Sequence, residues 1–340
     1  MNPTPFSFAV LAGGAAFALL AGCAVGPDFS APTAPEVNAY TSGTLPNQTV
    51  KSNIAGGEAQ KFALGQDIPA QWWMLFHSEP LNKLVDRALK ANPDLQAAKS
   101  ALREAEENAS AGEGAFFPSV DAGAGVNHRQ VSGATSGGPA STSIFTLYNA
   151  SVSVSYVPDI FGGTRRAVEL LEAGADFERW QLEAATLTLT ANVVTAAIQE
   201  ASLRAQIAAT HEIIDAEEAQ LITLQQQLKL GGIAKTDVLA QSANLSNVQA
   251  TLPVLEKQLA QIRHQLSVLA GNFPAQAPED EFRLDGLKLP EELPLSLPSK
   301  LVEQRPDIKA AEAELHAASA EIGVATANML PQISLTAGYG

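Results

Sequence analysis

The sequence predicts a mixed fold, in which transmembrane β-barrel strands shared between protomers are combined with long antiparallel coiled-coil α-helices. Three observations predict it. One segment occurs twice, two runs alternate between apolar and polar residues, and apolar residues recur at heptad spacing over long stretches. Alternation with a period of two is typical of β-strands, and a period of about 3.5 residues is typical of helices that pair as coiled coils. The chain is therefore expected to contain two structural repeats.

The repeat relates residues 92–127 to residues 305–340. At an offset of 213 positions, without a gap, nine of 36 residues are identical. Both copies read as a helix that starts at Pro-Asp, an Ala-rich helix, a proline stop and an alternating strand. Self-similarity of this kind is typical of a duplicated unit. Because the second copy stops within its strand, we expect it to be truncated and the chain to be incomplete at its C-terminus.

Composition excludes several classes of protein. The 340 residues carry a net charge of −15, which disfavours nucleic-acid binding because that needs a basic surface. A single cysteine excludes a disulfide framework within the chain. Aromatic residues make up only 6%, a composition typical of long packed helices.

The N-terminus reads as a signal peptide over residues 1–22. Residues 6–20 are apolar and uncharged, about the length of a signal-peptide core and short for a membrane span. The following Leu20-Ala21-Gly22-Cys23 resembles a bacterial lipobox, which implies a covalent lipid on Cys23 as the only attached group and, with Ala24 next, sorting to the outer membrane. The alternative is a signal peptide with an incidental cysteine. The usual basic residue before the apolar core is missing.

Residues 23–70 are rich in Pro, Gly, Thr and Asn and read as an extended, lipidated tether. Residues 71–117 read as the short helices of the first repeat. One helix opens at Gln71, and a second begins at Asn92-Pro93-Asp94, where Asn suits the N-cap and Pro the first turn. The second helix should run to about Ala115, before Pro118.

Residues 118–157 read as a β-hairpin. Apolar residues alternate with polar ones on both sides of a Ser/Gly/Thr loop, a pattern typical of transmembrane strands but also of a half-exposed soluble hairpin. The polar face supplies the candidate lumen-lining residues, which are Asp121, Asn127, Asn149, Ser151 and Ser153. Two strands cannot close a barrel, and an open edge is not tolerated in lipid, so several chains must pool their strands. Eight strands from two chains would leave little lumen, and twelve from three leave more.

Residues 158–272 read as a long helical hairpin. No proline interrupts the stretch from Gly163 to Lys229, and a return helix is predicted over about 236–270. The first helix has two rows of seam positions: Thr186, Val193, Glu200, Ile207, Ile214, Leu221 and Leu228 in one row, and Leu182, Leu189, Ala196, Leu203, Thr210, Glu217 and Leu224 in the other. The return helix has one clean seam: Leu245, Val248, Leu252, Leu255, Leu259, Ile262, Leu266 and Leu269. Residues 273–300 are a connector, and residues 301–340 begin the truncated second repeat.

Five motifs occur in order along the chain: Trp72-Trp73 with Phe76, Asn92-Pro93-Asp94-Leu95, Asp159-Ile160-Phe161-Gly162, Gly231-Gly232 with Asp237-Val238, and Leu269-Ala270-Gly271-Asn272. In this order they resemble the TolC-like outer-membrane efflux factors, and within them the lipoprotein branch of NodT type that serves RND-type pumps. The resemblance implies that part of residues 23–70 and the connector of residues 273–300 form an equatorial region. The resemblance implies a homotrimer whose twelve-stranded barrel continues into a periplasmic helical tunnel. It also implies docking to a periplasmic adaptor protein and an inner-membrane pump, with the duct as a passive exit for small solutes and not an enzyme.

The resemblance also assigns roles to two groups of residues. The turn between the long helices would dock the adaptor through Gly231, Gly232, Lys235, Thr236 and Asp237, unless it serves only as a helix connection. Asp159, Phe161 and Gly162 would shape the strand–helix junction, where glycine permits the bend. The five histidines lack metal-ligand spacing and are expected on the surface or in the lumen. No catalytic or metal site is expected.

Two other readings remain open at this point. A periplasmic adaptor lipoprotein also combines a lipid anchor with a helical hairpin, but it would not repeat strand–helix units. A structural coiled-coil lipoprotein would not need the alternating strands.

Overall fold

The computed structural model describes residues 24–37, 39–43, 45–53, 56–132, 142–276 and 280–340. The signal peptide and Cys23 lie outside these described residues. The helices are α1 (Glu79–Ala91), α2 (Pro93–Glu113), α3 (Gly163–Lys229), α4 (Lys235–Leu269), α5 (Pro298–Gln304) and α6 (Pro306–Asn328). The strands are β1 (Lys61–Leu64), β2 (Ser119–Ser132), β3 (Thr142–Tyr156), β4 (Glu292–Leu295) and β5 (Leu335–Tyr339). None of the helices in the described ranges has the length and apolar character that crossing a membrane requires.

The chain divides into two compact units. The first contains residues 1–32, 102–179 and 310–340, and the second contains residues 33–101 and 180–309. Several long helices contribute residues to both.

The first unit carries a three-stranded antiparallel sheet in the order β2-β3-β5. Strands β2 and β3 pair over their full length, from Ser119 opposite Ser155 to Ser132 opposite Thr142. Strand β5 adds to the other edge of β3, where Val152 lies opposite Tyr339. The sheet therefore joins the predicted hairpin to the strand that follows the second copy of the repeated helix.

Small residues let the helices of the first unit approach one another closely. A Cβ added to Gly112, near the end of α2, would lie 2.5 Å from Leu171 Cδ1 on α3. A Cβ on Gly163 would lie 3.0 Å from that of Ala327, near the end of α6. The first turns of α3 thus contact the last turns of both α2 and α6.

Helix α1 contributes one apolar face to the hydrophobic core of the second unit. Its apolar residues fall three and four positions apart, the spacing that puts them on one side of a helix. They pack with residues from α2, α3, α4 and the connector; the buried members are Trp73, Leu81, Leu84, Val85, Ala88, Leu95, Leu189, Val193, Val194, Ala196, Ala197, Ala201, Leu266, Ala270 and Phe282. The prediction of one helix from Gln71 was wrong: a 3₁₀ turn over Trp72–Phe76 ends at His77, whose φ of 47° breaks it from α1.

The predicted heptad seams are confirmed. Helix α3 spans Gly163–Lys229 as expected, and α4 spans Lys235–Leu269. Every seam position predicted for either helix is buried or half-buried, including the polar ones. Glu200, 1% exposed, accepts two hydrogen bonds from the Arg204 guanidinium, at 2.8 and 2.9 Å. The carboxylate of Glu217 and its backbone carbonyl both accept from the Gln241 amide on α4.

The rest of the second unit contains a small parallel sheet. Strand β1 pairs with β4, which lies in the predicted connector, from Lys61 opposite Glu292 to Leu64 opposite Leu295. A hydrogen bond next to this sheet joins the same two parts of the chain. The Tyr40 hydroxyl, before β1, donates to the carbonyl of Ser296, between β4 and α5, at 2.6 Å.

Asn92 supports two helix ends at once. Its side-chain oxygen accepts from the Leu95 N–H at 3.1 Å as the N-cap of α2, and its amide donates to the Leu269 carbonyl at the end of α4, also at 3.1 Å. We expect Asn92→Ala to lower the free energy of unfolding by about 1–3 kcal/mol, because Asn92 is buried and the substitution removes both bonds. Urea unfolding followed by circular dichroism measures this. Asn247→Ala, at an exposed position on α4, is the control, and equal effects of the two substitutions would contradict the assignment.

Candidate functional site

The turn between α3 and α4 presents an exposed tip. Helix α3 is terminated by Gly231, two residues after its last residue, Lys229. Gly231 has a φ of 76°, and its N–H donates to the Leu228 carbonyl at 3.0 Å. The Gly232 N–H donates to the Gln227 carbonyl at 2.9 Å, so the last carbonyls of α3 are satisfied by a glycine-dependent cap. Leu230 is 88% exposed beside it. An exposed apolar side chain on a rigid turn is suited to contact with another protein.

The start of α4 places the remaining predicted tip residues. Lys235, Thr236 and Asp237 are all exposed, and the Asp237 carboxylate accepts from the Ala234 N–H at 3.2 Å. This is half of a capping box, because Ala234 has no side-chain oxygen to return the bond. Asp237 therefore has a structural role in addition to its exposure. The adaptor-docking role of the turn stays a prediction.

The strand–helix junction is organised by Asp159. One carboxylate oxygen accepts from the Thr164 N–H at 2.9 Å and the other from the Arg165 N–H at 3.0 Å, which satisfies two free donors at the start of α3. Gly162 has a φ of 78°, a conformation that favours glycine. Phe161 is half-buried, and its carbonyl accepts from the Val25 N–H at 3.0 Å.

The sheet register separates the predicted polar residues onto one face. Asp121 lies opposite Ser153, Gly123 opposite Ser151 and Gly125 opposite Asn149, while Asn127 lies opposite Leu147. Because directly opposite residues point to the same side of a sheet, the five candidate lumen residues share one face. Whether that face lines a lumen stays a prediction.

The other face of the sheet is apolar and exposed over residues 120–126 of β2 and 148–154 of β3, and it becomes polar beyond them, where His128 lies opposite Thr146. Its cross-strand pairs include Val120 with Val154 and Ala122 with Val152, and β5 extends it with Leu335 and Tyr339. Val120, Val126, Tyr148 and Tyr339 are all well exposed, the last at 88%. A sheet that exposes a continuous apolar face needs a cover, which another protein surface or lipid would provide.

A cluster of charged and aromatic side chains around Arg166 was missed by the sequence analysis. Arg166, in the first turn of α3, is buried and donates to Glu169 at 2.7 Å, to Asp28 at 2.6 Å and to the Val25 carbonyl at 3.3 Å. His316 Nε2 on α6 lies 2.9 Å from Glu169, and its ring stacks on Phe29 with centroids 4.4 Å apart. We call Asp28, Phe29, Arg166, Glu169 and His316 the Arg166 cluster.

The Arg166 cluster corrects two expectations. Residues 24–32 were expected to be part of an extended tether leaving the membrane anchor, but they lie against the first turns of α3 and against α6. His316 was expected on the surface or in the lumen, but it is half-buried between Glu169 and Phe29. Sequence reasoning could not find this cluster, because its contacts join residues 138 and 147 positions apart without any spacing rule.

Electrostatics in the cluster favour the charged forms of Glu169 and Arg166. Burial alone would raise the pKa of Glu169, but hydrogen bonds from Arg166 and His316 outweigh it and lower that pKa below its ordinary value. Hydrogen bonds to Glu169 and then to Asp28 raise the pKa of Arg166. Within the described part of the chain, no three of the His, Cys, Asp and Glu side chains are grouped so that they could hold a metal ion.

Comparison with known proteins decides the family. A family model described as outer membrane efflux protein matches residues 84–272 and 297–340. The chain belongs to the outer membrane efflux protein family. Its helical hairpin, its sheet and both copies of its repeated segment lie within the matched ranges.

Individual relatives of this efflux protein agree with the assignment. The pyoverdine export outer membrane protein OpmQ is 32% identical over 280 residues in Pseudomonas aeruginosa and 28% identical over 291 residues in Pseudomonas putida, covering 78% and 84% of this chain. The probable outer membrane lipoprotein SilC of Salmonella typhimurium is 27% identical over 325 residues, or 94% of this chain. The solved outer-membrane channel OprN superposes with a TM-score of 0.80, at 26% identity, over 92% of this chain.

The chain spans only part of the length of these relatives. The matches cover 57% and 62% of the two OpmQ proteins, 65% of SilC and 66% of OprN, so the chain spans less than two thirds of their length. Like them, it is assigned to the outer membrane.

The lowered pKa of Glu169 makes the Arg166 cluster sensitive to acid. A carboxyl whose folded-state pKa is lowered adds stability above its unfolded-state pKa, and that stability is lost as the pH falls through the lower folded-state value. We therefore expect the destabilisation caused by Glu169→Gln to be constant near neutral pH and to shrink below pH 4.5, the ordinary value. Unfolding midpoints of the variant and the wild type across this range measure it. Glu172→Gln, at an exposed position one turn further along α3, is the control for the loss of a negative charge. A difference between Glu169→Gln and the wild type that is independent of pH would refute the role.

Proposed function

We propose that the protein is the outer-membrane channel component of a tripartite, RND-type efflux system, a passive exit duct for drugs or other small solutes. The observation that carries the proposal is the part of the sheet from Ser119 to Val126 with its partners on β3, which exposes one apolar and one polar face, in a chain that belongs to the outer membrane efflux protein family. Such a sheet fits a barrel wall, with lipid outside and water inside. The two OpmQ relatives, named for export, support an efflux role.

The barrel is proposed to be shared by a homotrimer. One sheet of three described strands leaves edge strands with unpaired backbone groups, which lipid does not tolerate, so strands of several chains must join. Twelve strands from three chains would leave a water-filled lumen lined by the face that holds Asp121, Asn127, Asn149, Ser151 and Ser153.

An uncovered seam on α6 supports the helical tunnel. The exposed apolar residues of α6 and of the residue just after it fall at alternating intervals of three and four, which is the spacing of a coiled-coil contact. They are Ile308, Ala311, Leu315, Ala318, Ile322, Ala325 and Met329. The residues 213 positions earlier on α2 and just after it are all buried or half-buried, and Leu95 and Gly112 among them contact α3. A helix that packs on α6 as α3 packs on α2 would cover the seam and continue the wall of the tunnel.

The remaining parts have proposed roles in the same assembly. A covalent lipid on Cys23 would anchor the protein, as the lipoprotein name of SilC supports, and no other cofactor is proposed. The exposed turn with Gly231, Gly232, Lys235, Thr236 and Asp237 would dock a periplasmic adaptor protein, and the inner-membrane pump would supply the energy. The purified protein should form heat-stable trimers that conduct ions in planar bilayers, and a monomeric, non-conducting protein would contradict the proposal.

The two faces of the sheet should respond differently to a positive charge. We expect Val126→Arg to reduce the amount of protein recovered in the outer membrane severalfold, because arginine on a lipid-facing strand position costs about 2–4 kcal/mol near the middle of the bilayer. Asn127→Arg, one residue along the same strand and on the polar face, should leave that amount unchanged. Quantitative immunoblots of outer-membrane fractions measure both. If the two variants lowered the amount of protein in the outer membrane equally, the proposal that only the apolar face contacts lipid would be wrong.

Charge reversal at the turn tests adaptor docking. We expect Lys235→Glu to lower crosslinking to the adaptor and drug export severalfold, because the tip is exposed and a contacting surface would be complementary in charge. Lys257→Glu, at an exposed position further along α4, is the matched control and should change neither. Asp237 is not a clean test, because it also caps α4. Unchanged crosslinking and export with Lys235→Glu would remove the docking role.

A further inference from the structure

The end of the β2–β3 hairpin that lies far from the helices carries an arginine. Strand β2 begins just after α2 and β3 ends just before α3, so Ser119 and Tyr156 mark the helix end of the sheet. Arg129 lies towards the opposite end, directly across from Phe145. Because the helices are proposed to form the periplasmic tunnel, the opposite end of the sheet is the outer mouth of the proposed barrel.

Arg129 belongs to the face of the sheet that is proposed to line the lumen. Side chains alternate between the two faces of a strand, so Arg129 shares the face of Asp121 and Asn127. The apolar part of the other face ends at Val126, so Arg129 lies beyond the level that lipid is proposed to cover. Its side chain is exposed, and in the proposed barrel it faces water in the outer mouth.

The charge of Arg129 is not neutralised by an acid. Among the residues of the three described strands, only Arg129 and Asp121 carry a formal charge when histidine is neutral. At a rise of about 3.4 Å per residue, the eight positions between them correspond to about 27 Å, well beyond the Debye length of about 8 Å at physiological salt. No residue in the described part of the chain forms an ion pair with Arg129.

The surroundings of Arg129 strengthen its field. Phe145 lies opposite it, and Val131 and Leu147 follow on the same face along β2 and β3. These neighbours are apolar, and a charge beside a wall of low dielectric constant is screened less than one that is surrounded by water. The face therefore presents an isolated positive charge at the outer mouth.

We propose that the three Arg129 side chains of the trimer form a ring that makes the outer mouth of the duct selective for anionic solutes. The inference rests on the proposed trimeric barrel, which brings one Arg129 from each chain to the same level. Rings of arginine or lysine favour anions in pores, because their positive potential raises the local concentration of anions and repels cations. Solutes that carry a carboxylate, phosphate or sulfonate group would therefore leave through the mouth more readily than cations of the same size.

The test measures the ratio of chloride to potassium permeability of the purified protein in planar bilayers, from the zero-current potential across a KCl gradient. Near about 0.1 M salt, Arg129→Gln should lower this ratio at least about twofold, because it removes one positive charge from each chain. Arg129→Lys keeps the charge and should retain the wild-type ratio. The effect of Arg129→Gln should nearly disappear at about 1 M salt, where the Debye length is only about 3 Å.

Gln130→Glu is the matched control. It also makes each chain more negative by one charge, but at the adjacent position of β2, on the other face of the sheet. It should leave the permeability ratio unchanged.

A cysteine at the same position tests the ring without a new folding step. Arg129→Cys is treated after assembly with a cationic or an anionic thiol reagent, and the wild type, whose single cysteine is Cys23, is treated in parallel. The cationic reagent should give the variant a higher ratio of chloride to potassium permeability than the anionic reagent, and neither should change the wild type.

The outcomes separate the ring from the duct. A conducting protein whose permeability ratio is the same in Arg129→Gln and in both treated forms of Arg129→Cys would overturn the ring and leave the duct in place. Equal shifts in Arg129→Gln and Gln130→Glu would overturn the placement of Arg129 in the lumen. A wild-type protein that does not conduct would contradict the proposed duct, and the ring with it.

Discussion

The long seam of α3, mostly apolar and interrupted by a few polar residues, is the constraint on which the rest of the structure depends. Over 67 residues the helix has no proline, and its seam positions remain covered even where they are polar. A buried carboxylate is tolerated only when it is paired, and Arg204, which also reaches Glu281 at 3.2 Å, meets that need for Glu200. Gln241 does so for Glu217. Each acidic residue in the seam therefore requires a hydrogen-bond donor beside it, which constrains the packing at that level of the helix.

Much of this fold could be predicted because its determinants are local and periodic. The Asn92-Pro93 helix start, the glycine end of α3 and the alternation of β2 and β3 each follow from the conformational preferences of a few neighbouring residues. The heptad rows, too, could be read without knowing their partners. The partners themselves were less accessible: that β5 adds to β3, or that β1 pairs with β4 across 231 positions (292 − 61), depends on tertiary packing that no spacing encodes.

The two copies of the repeated segment show how one pattern serves two environments. Helices α2 and α6 both begin at Pro-Asp, and their seam positions correspond at a constant offset. Gly112 on α2 leaves room for Leu171, but the corresponding residue on α6 is Ala325, and Ile322 stands where α2 has Ala109. The seam of α6 is bulkier, so it fits a neighbour with less side-chain volume at those levels. Sequence similarity alone would have suggested identical partners.

The Arg166 cluster follows from a conflict at the start of α3. Two arginines occupy its first turn, where the helix dipole disfavours cations, and no acidic residue lies in that turn. Asp159 offsets Arg165 from outside the helix, with a bond of 3.2 Å, and Glu169 one turn later offsets Arg166. The remaining donors of a buried guanidinium still need acceptors, because an unpaired polar group in that position costs free energy. The backbone of residues 24–32 supplies one at Val25, so an unfavourable charge on α3 becomes the reason that the N-terminal segment has a fixed place.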